Sequence, residues 1–336
     1  MVARMTIKEI ARLSGVGVST VSRVLNKRPD VNEDTRGRVM EVIERYGYEP
    51  NSNAKHLKQL STDCVAVIVR GRNNLFFSGI LELLQKRIEA AGLRFLPHYI
   101  DENDDEAAAA LRVYAERKVR GIIFMGGCHT DNGAMLSRLP IPCVYSTVNA
   151  AEGYAPNVSS VSVDDRQGAK KAVDYLFDCG HENMVILSGE TQGCNMAHQR
   201  YLGVLDSFKE HGKTLESSRV LVSPFSFSCA YERIKEYTGP DYTAIFAMSD
   251  TMAIGAARAL MDSGKRVPED VSVIGYDGIE LAQYYHPALA TMRQPQQELA
   301  DRSVELLLES METDCAPKHI QLETELIQGA SVKHIN

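Results

Sequence analysis

The sequence predicts two architectures in one chain. A small all-α helix-turn-helix unit stands at the amino terminus, and an α/β body of two doubly wound parallel sheets follows it. Three observations lead there. Residues 1–60 hold 11 Lys and Arg against 7 Asp and Glu, a local net of +4, whereas the rest of a chain of total charge −7 carries −11. Up to residue 47, apolar residues recur at helical spacing between capping residues. From residue 63, short apolar runs alternate with helical patterns, as strands and crossover helices of parallel sheets do. With 336 residues, 44% of them hydrophobic, two or three compact units have enough apolar material for their cores.

The first helix starts at Thr6-Ile7-Lys8-Glu9, a capping box in which the Thr hydroxyl takes a backbone N–H and Glu9 reaches back. Ile7, Ile10 and Ala11 form its apolar stripe, and Ser14-Gly15 ends it. The second helix is expected over 18–26 with Gly17 as its cap. Its residues sort by helical spacing: Val21 and Val24, with Leu25 at the edge, fall on one side, and Val18, Ser19, Ser22, Arg23 and Asn26 on the other. The turn Arg28-Pro29-Asp30 leads to a third helix, capped by Asn32 and started by Glu33 and Asp34. Val39, Ile43 and Tyr46 are its expected buried stripe, and Gly47 its stop.

A helix face of small hydroxylated residues and one arginine suits a surface dense in donors and acceptors, approached closely. The major groove is such a surface; it admits one helix, and an arginine there can bind guanine O6 and N7 bidentately. A three-helix domain with a merely hydroxylated surface is the competing reading. The basic balance of the first segment favours a polyanionic partner.

The stretches "TIKEIARLSGVGVSTVSRVLN", "VNEDTRGRVMEVIERYGYEPN" and "AKHL" resemble the headpiece of the LacI/GalR family of bacterial transcriptional regulators, and the resemblance extends over nearly the whole chain. One departure is Gly17, where the family usually has a Ser cap. The resemblance implies double-stranded operator DNA as partner, with Thr6, Val18, Ser19, Thr20, Ser22, Arg23 and Asn26 at the headpiece contact. It also implies a hinge helix that forms on DNA, with Asn51 as its cap, Lys55 beside it and Leu57 as a wedge in the minor groove. Because one recognition helix reads a half-site, a palindromic operator implies a homodimer.

In the body, "CVAVIV" reads as a buried strand, followed by a helix over 78–91, the strand "RFLPHYI", the helix "DDEAAAALRVYAERK", and the strands "GIIFMG" and "CVYSTV". The segment "NAAEGYAPNVSSVSVDD" reads as a break. After it come helices over 168–179, 196–211 and 251–263, among the strands "MVILSG", "RVLVSP", "AIFAMS" and "SVIGYD". About ten strands are too many for one sheet. By resemblance to periplasmic sugar-binding proteins they make two subdomains joined by three crossovers. The expected domains are a headpiece over 1–50, a hinge over 51–61 and a core over 62–336. Within the core, the N-subdomain takes about 62–162 plus 292–321, and the C-subdomain 163–291 plus 322–336.

Ligands of such sheets lie at the carboxyl ends of strands. The residues there are Arg70, Phe76, Phe77, Met125, Thr147, Arg200, Phe225, Ser249, Asp250, Asp277 and Gln294. Each has a duller role open to it: Asp250 as the cap of a helix starting at Thr251, Arg200 as a surface ion pair. Together they suit a polyhydroxylated ligand. The resemblance implies that Arg200, Asp277 and Ser249 hydrogen-bond a sugar and that Phe225 stacks on it. Thr147 stands where several members have Asp, and Arg70 where a neutral residue is usual. These departures suggest an anionic effector, a sugar acid or sugar phosphate, unless Arg70 pairs with Asp277 or Asp250.

Other classes are disfavoured. There is no GxxxxGK[ST] loop, no GxGxxG after the first strand and no GxSxG elbow, so no enzyme and no cofactor is expected. Cys194 and His198 are four apart without further ligands nearby, so no metal is expected either. The seven cysteines lack a CxxC pair, no apolar run matches a membrane helix, and "MVARMTIKEIARLSG" has no signal-peptide pattern, which together suggest a cytoplasmic protein with free thiols. The final "QGASVKHIN" shows no heptad. A transcriptional regulator, in the sense of a repressor, is the expected function; a sugar-binding protein without a DNA role is the alternative.

Overall fold

The structure, a computed structural model, describes residues 6–25, 31–46, 63–71, 74–101, 104–127, 132–151, 153–193, 195–313 and 315–335. The chain divides into two compact units between residues 61 and 62.

The first unit holds three helices: α1 (Ile7–Ser14), α2 (Val18–Leu25) and α3 (Glu33–Tyr46). The Thr6–Glu9 capping box is formed in both directions, and Gly15 closes α1 in the left-handed conformation at φ 65°. The Gly17 carbonyl accepts the first bonds of α2 from Thr20 and Val21. The Asn32 side chain accepts from the Asp34 N–H at the start of α3. Ile10, Ala11, Val21, Val24, Val31 and Val39 form one small core, with Leu25 and Ile43 packed at its edge. Tyr46, the last residue of α3, departs from the expected stripe: it is 47% exposed. Asn26, the turn at 28–30, Gly47 and the whole hinge, with Asn51, Lys55 and Leu57, lie outside the described residues.

The second unit contains two six-stranded sheets, as expected of a doubly wound core. The first runs β11 (His319–Leu322), β5 (Val158–Val163), β4 (Cys143–Ser146), β3 (Gly121–Met125), β1 (Cys64–Arg70), β2 (Arg94–Ile100), and it is parallel throughout. The second runs β12 (Glu325–Ile327), β10 (Ala290–Arg293), β9 (Ser272–Asp277), β8 (Ala244–Ala247), β6 (Met184–Ser188), β7 (Val220–Val222), and only β12 is antiparallel to its neighbour. Central strands such as β1, β3, β6 and β9 are buried along almost their whole length, since helices cover both faces. Pro97 is tolerated because β2 is an edge strand.

Strand β5 corrects the sequence reading, which placed a break there. All six residues of "VSSVSV" are buried. Two of its serines meet a neighbour remote in sequence: Ser159 Oγ accepts from the Lys318 N–H, and Ser160 Oγ lies 2.9 Å from His319 Nδ1. The serines looked like loop chemistry because β11, which uses them, arrives 150-odd residues later, an interval of 159 for both contacts.

The helices after β1 and β5 start three residues earlier than expected, at Leu75 and Asp165, each directly after a polar cap. Asn74 caps α4 (Leu75–Ala90) through the N–H groups of Phe76 and Phe77. Asp105 caps α5 (Glu106–Arg117) and Asp164 caps α7 (Asp165–Asp178); α6 is the short Gly133–Leu136. Then come α8 (Met196–Glu210), α9 (Phe227–Lys235), α10 (Asp250–Asp262), α11 (Glu280–Tyr284) and α12 (Gln296–Glu312).

Three crossings join the sheets, and all three leave from carboxyl strand ends. From β5 to α7 there is only Asp164, from β10 to α12 only Gln294 and Pro295, and from β11 to β12 only Glu323 and Thr324. A connection of one or two residues spans less than about 11 Å at full extension. The carboxyl edges of the two sheets therefore face each other across one cleft.

Helices α7 and α8 approach so closely that a Cβ on Gly203 would stand 2.0 Å from the Arg166 carbonyl oxygen and 3.0 Å from the Lys170 nitrogen. Both obstacles are backbone, so neither can swing aside. Gly203→Ala should destabilise the core by about 1–3 kcal/mol, read as a lower urea midpoint at unchanged slope. An unchanged midpoint would mean that the two helices are free to separate.

Candidate functional site

Two regions carry the chemistry, one in each unit. On α2 the buried side is Val21 and Val24, while Val18, Ser19 and Arg23 are exposed and Thr20 and Ser22 half-buried. The helix thus presents small side chains, including an uncovered Val18 at 42% exposure, around a single cation. Thr6, beside this unit's first helix, is exposed, and its hydroxyl donates to Glu9 at 2.8 Å.

In the core, the second sheet builds its edge around Arg200 of α8, which is 2% exposed. Its Nε donates to Asp165 Oδ1 at 2.7 Å, and its Nη1 to the Met248 carbonyl at 2.5 Å and to Asp277 Oδ1 at 3.5 Å. The guanidinium carbon lies 3.7 Å above the Tyr276 ring centroid, a cation–π contact. Asp277 ends β9 at φ 107°, a strained conformation for a non-glycine residue, and its Oδ1 also accepts from Gln294 Nε2 at 2.8 Å. Arg200, Asp277 and Gln294, singled out in the sequence, thus meet in one network. Arg200 is a buried hub rather than a surface ion pair.

Ser249 rather than Asp250 caps α10, accepting from the Met252 N–H at 3.2 Å. Asp250 lies within the first turn, fully buried, and its Oδ2 accepts from the Ile279 N–H at 2.8 Å. Burial, followed by the neighbouring Asp277 charge, pushes Asp250 up to about 8. Burial pushes Asp277 up to about 6, against the opposing pull of Arg200. Burial raises Asp165 as well, again against Arg200. Phe225 follows β7 and packs so near Gly189 that a Cβ there would meet its ring at 2.5 Å.

The first sheet supplies the opposite wall. Arg70 ends β1 with its side chain 19% exposed, and its Nη2 donates to Glu106 Oε2 at 2.7 Å. Arg70 thus pairs with a carboxylate of its own lobe. Tyr145 Oη donates to the other oxygen of Glu106 at 2.6 Å. Burial first, then the Glu106 charge, hold the Tyr145 phenol far above its ordinary range, so it remains a donor. Phe76 and Phe77 open α4 with ring centroids 5.9 Å apart, and Phe77 packs against Gly126. Thr147 sits at φ 81°, and its Oγ1 accepts from the Gly126 N–H at 3.3 Å. Met125 is fully buried among core residues.

Sequence reasoning missed Glu106, Tyr145, Asp165 and Tyr276. Glu106 and Asp165 look like ordinary first-turn acids beside a capping Asp. In this topology each such helix starts at a carboxyl strand edge, so its first turn borders the cleft; that was the available signal. The cleft pairs two arginines with Glu106, Asp165 and Asp277, so cationic donors and anionic acceptors stand side by side. Such an arrangement is chemically suited to hydroxyl groups, each of which donates and accepts. Among the described residues no cluster of potential metal ligands occurs, and no helix is long and apolar enough to cross a membrane.

Comparisons with known proteins agree with both regions. Residues 6–51 match bacterial regulatory proteins of the lacI family, and residues 173–332 a periplasmic binding protein-like domain. The chain is 35% identical to the HTH-type transcriptional regulator MalR of Clostridium butyricum, over 98% of this chain and 100% of the relative. It is 32% identical to the HTH-type transcriptional repressor PurR of Vibrio vulnificus strain CMCP6, over 98% and 99%. A solved complex of the transcriptional regulator CelR with cellobiose superposes with a TM-score of 0.71 at 28% identity, covering 98% of this chain and 100% of that one.

The raised carboxyl groups have a consequence for stability. Asp250 and Asp277 keep protons in the fold, up to about 8 and about 6, that the unfolded chain releases near its ordinary value of 3.8. The folded state then binds more protons than the unfolded one, so stability falls as pH rises from about 4 to about 8. Asp250→Asn removes the larger contribution. Its core should gain melting temperature over the unchanged protein progressively across that window; a constant difference would mean that Asp250 is ionised throughout.

Proposed function

The chain belongs to the LacI family of bacterial regulatory proteins, and from this premise we propose a transcriptional repressor whose operator affinity is set by a sugar-like effector held between the two lobes of its core. That it is a DNA-binding transcriptional regulator with a ligand-binding core follows from membership. The observation that carries the effector reading is the facing of two strand edges that each bring an arginine–carboxylate pair to the cleft. The CelR complex with cellobiose supports a neutral saccharide as the ligand class. Phe225, half-buried after β7, offers an apolar face of the kind on which sugar rings stack.

Recognition of DNA is assigned to α2, with Val18, Ser19, Thr20, Ser22 and Arg23 toward the major groove. The hinge residues Asn51, Lys55 and Leu57, together with Asn26 and Thr6, complete the proposed contact. The operative form is a cytoplasmic homodimer on a palindromic site, without catalytic activity, the relatives being regulators rather than enzymes. The alternative of a sugar-binding protein with no DNA role is disfavoured by the helix-turn-helix unit with Val18, Ser19 and Arg23 exposed on α2.

The Pro295 crossing ties α12 of the first lobe directly to Gln294, which holds Asp277 of the second. A ligand that bridges Asp277 and Arg70 favours one lobe arrangement, so DNA and effector affinities are linked reciprocally.

Two measurements check these readings. Arg23→Ala should cost about 1–3 kcal/mol on the operator and much less on random duplex; equal losses on both would make Arg23 a phosphate contact. A melting-temperature screen of neutral mono- and disaccharides should find a stabilising ligand by mass action. That ligand should change operator affinity in fluorescence anisotropy, and the operator should change ligand affinity by the same factor. A sugar that stabilises the core yet leaves operator binding unchanged would separate the cleft from regulation.

A further inference from the structure

Glu106 is a carboxylate at 1% side-chain exposure with no part in the sugar contacts expected from the sequence. Burying a carboxylate is costly unless it is paired and hydrogen-bonded. Here Arg70 and Tyr145 each take one of its oxygens, and the Gly127 backbone closes over it so nearly that a Cβ there would lie 2.6 Å from Oε2. The pair joins the end of β1 to the first turn of α5. The two arginines of the cleft are unlike in access: Arg200 is sunk at 2% exposure between two carboxylates, whereas Arg70 retains 19%. Arg70 is thus the cation that a ligand anion would reach.

We propose that Glu106 is a positioning and specificity-determining residue that holds the Arg70 guanidinium at the cleft wall as a charge-neutralised donor, so that the cleft accepts an uncharged hydroxylated ligand and rejects its phosphorylated or acidic analogue. The inference rests on the cleft being the effector site. An incoming phosphate would gain Arg70 but meet the Glu106 carboxylate a single hydrogen bond behind it, and Asp165 and Asp277 on the facing edge. A hydroxyl group meets no such opposition, because it can give its proton to a carboxylate and accept one from the guanidinium. The departure from the family at Arg70 is compensated within the same lobe. It does not make the cleft an anion site.

The test uses the full chain and inorganic phosphate as the probe, exchanged for chloride at constant ionic strength, with melting temperature as the readout. Wild type and Arg70→Gln should respond alike to phosphate, because the neutralised arginine is no anchor. Glu106→Gln, which keeps the shape and one acceptor oxygen for the Arg70 guanidinium but removes the charge that covers the cation, should gain a phosphate-dependent rise that vanishes in the Glu106→Gln, Arg70→Gln double variant. A rise in wild type that Arg70→Gln abolishes overturns the proposal, even if Glu106→Gln does not fold. A Glu106→Gln protein that folds and responds as wild type does overturns it too. Calorimetry with glucose and glucose 6-phosphate completes the test: Glu106→Gln should shift the affinity ratio at least tenfold toward the phosphate, and an unmoved ratio counts against the proposal. If the phosphate response follows the expected pattern but no sugar binds the cleft in any variant, the positioning role stands and the effector reading fails.

Discussion

Three chain crossings of one or two residues impose the geometry on which the rest depends. Because each leaves a carboxyl strand end and enters the other lobe at once, the two sheets meet edge to edge, and whatever side chains end their strands must share one cleft. Every helix that follows a strand also starts at that edge. Its capped first turn, with an acid such as Glu106 or Asp165, is delivered to the cleft by connectivity alone. The acids of the site are thus a by-product of capping chemistry put to use by topology.

The cleft is built at an energetic cost. Arg200 and three carboxylates near it are taken out of water, two non-glycine residues sit at positive φ, and Asp250 and Asp277 are pushed toward their protonated forms. Buried ion pairs of this kind are weak contributors to stability and are often replaceable by apolar residues. Their retention accords with a site held ready for a polar ligand, where strain and desolvation are borne by the surrounding packing. Each lobe sets a phenol beside its arginine–carboxylate pair: the Tyr276 ring lies under the Arg200 guanidinium, and Tyr145 Oη donates to Glu106.

The small unit works on the opposite principle. Among the described residues its core is six buried apolar residues, and the glycine that ends α1 is the one at positive φ. What it leaves outside on α2 is short side chains around one arginine, a face that can lie close to a partner.

Local physics made much of this legible in the sequence. The Thr6–Glu9 box, the Gly15 stop, the Asn32 cap and the period of Val21 and Val24 are relations within four residues, and the structure forms each of them. The alternation of apolar runs and helices likewise announced two doubly wound sheets, and strand ends named Arg200, Asp277 and Gln294 for the cleft. What tertiary structure decided were relations across long intervals. A serine-rich stretch became the interior strand β5 beside β11, which meets the Ser159 and Ser160 hydroxyls, and Arg70 found Glu106 at the start of α5. Arg200 became a buried hub, and Asp250 ceded the helix cap to Ser249. Capping and periodicity depend on neighbours along the chain, so a single sequence encodes them openly. The partner of a buried charge depends on which distant segments the crossings bring together, and that is settled only when the sheets assemble.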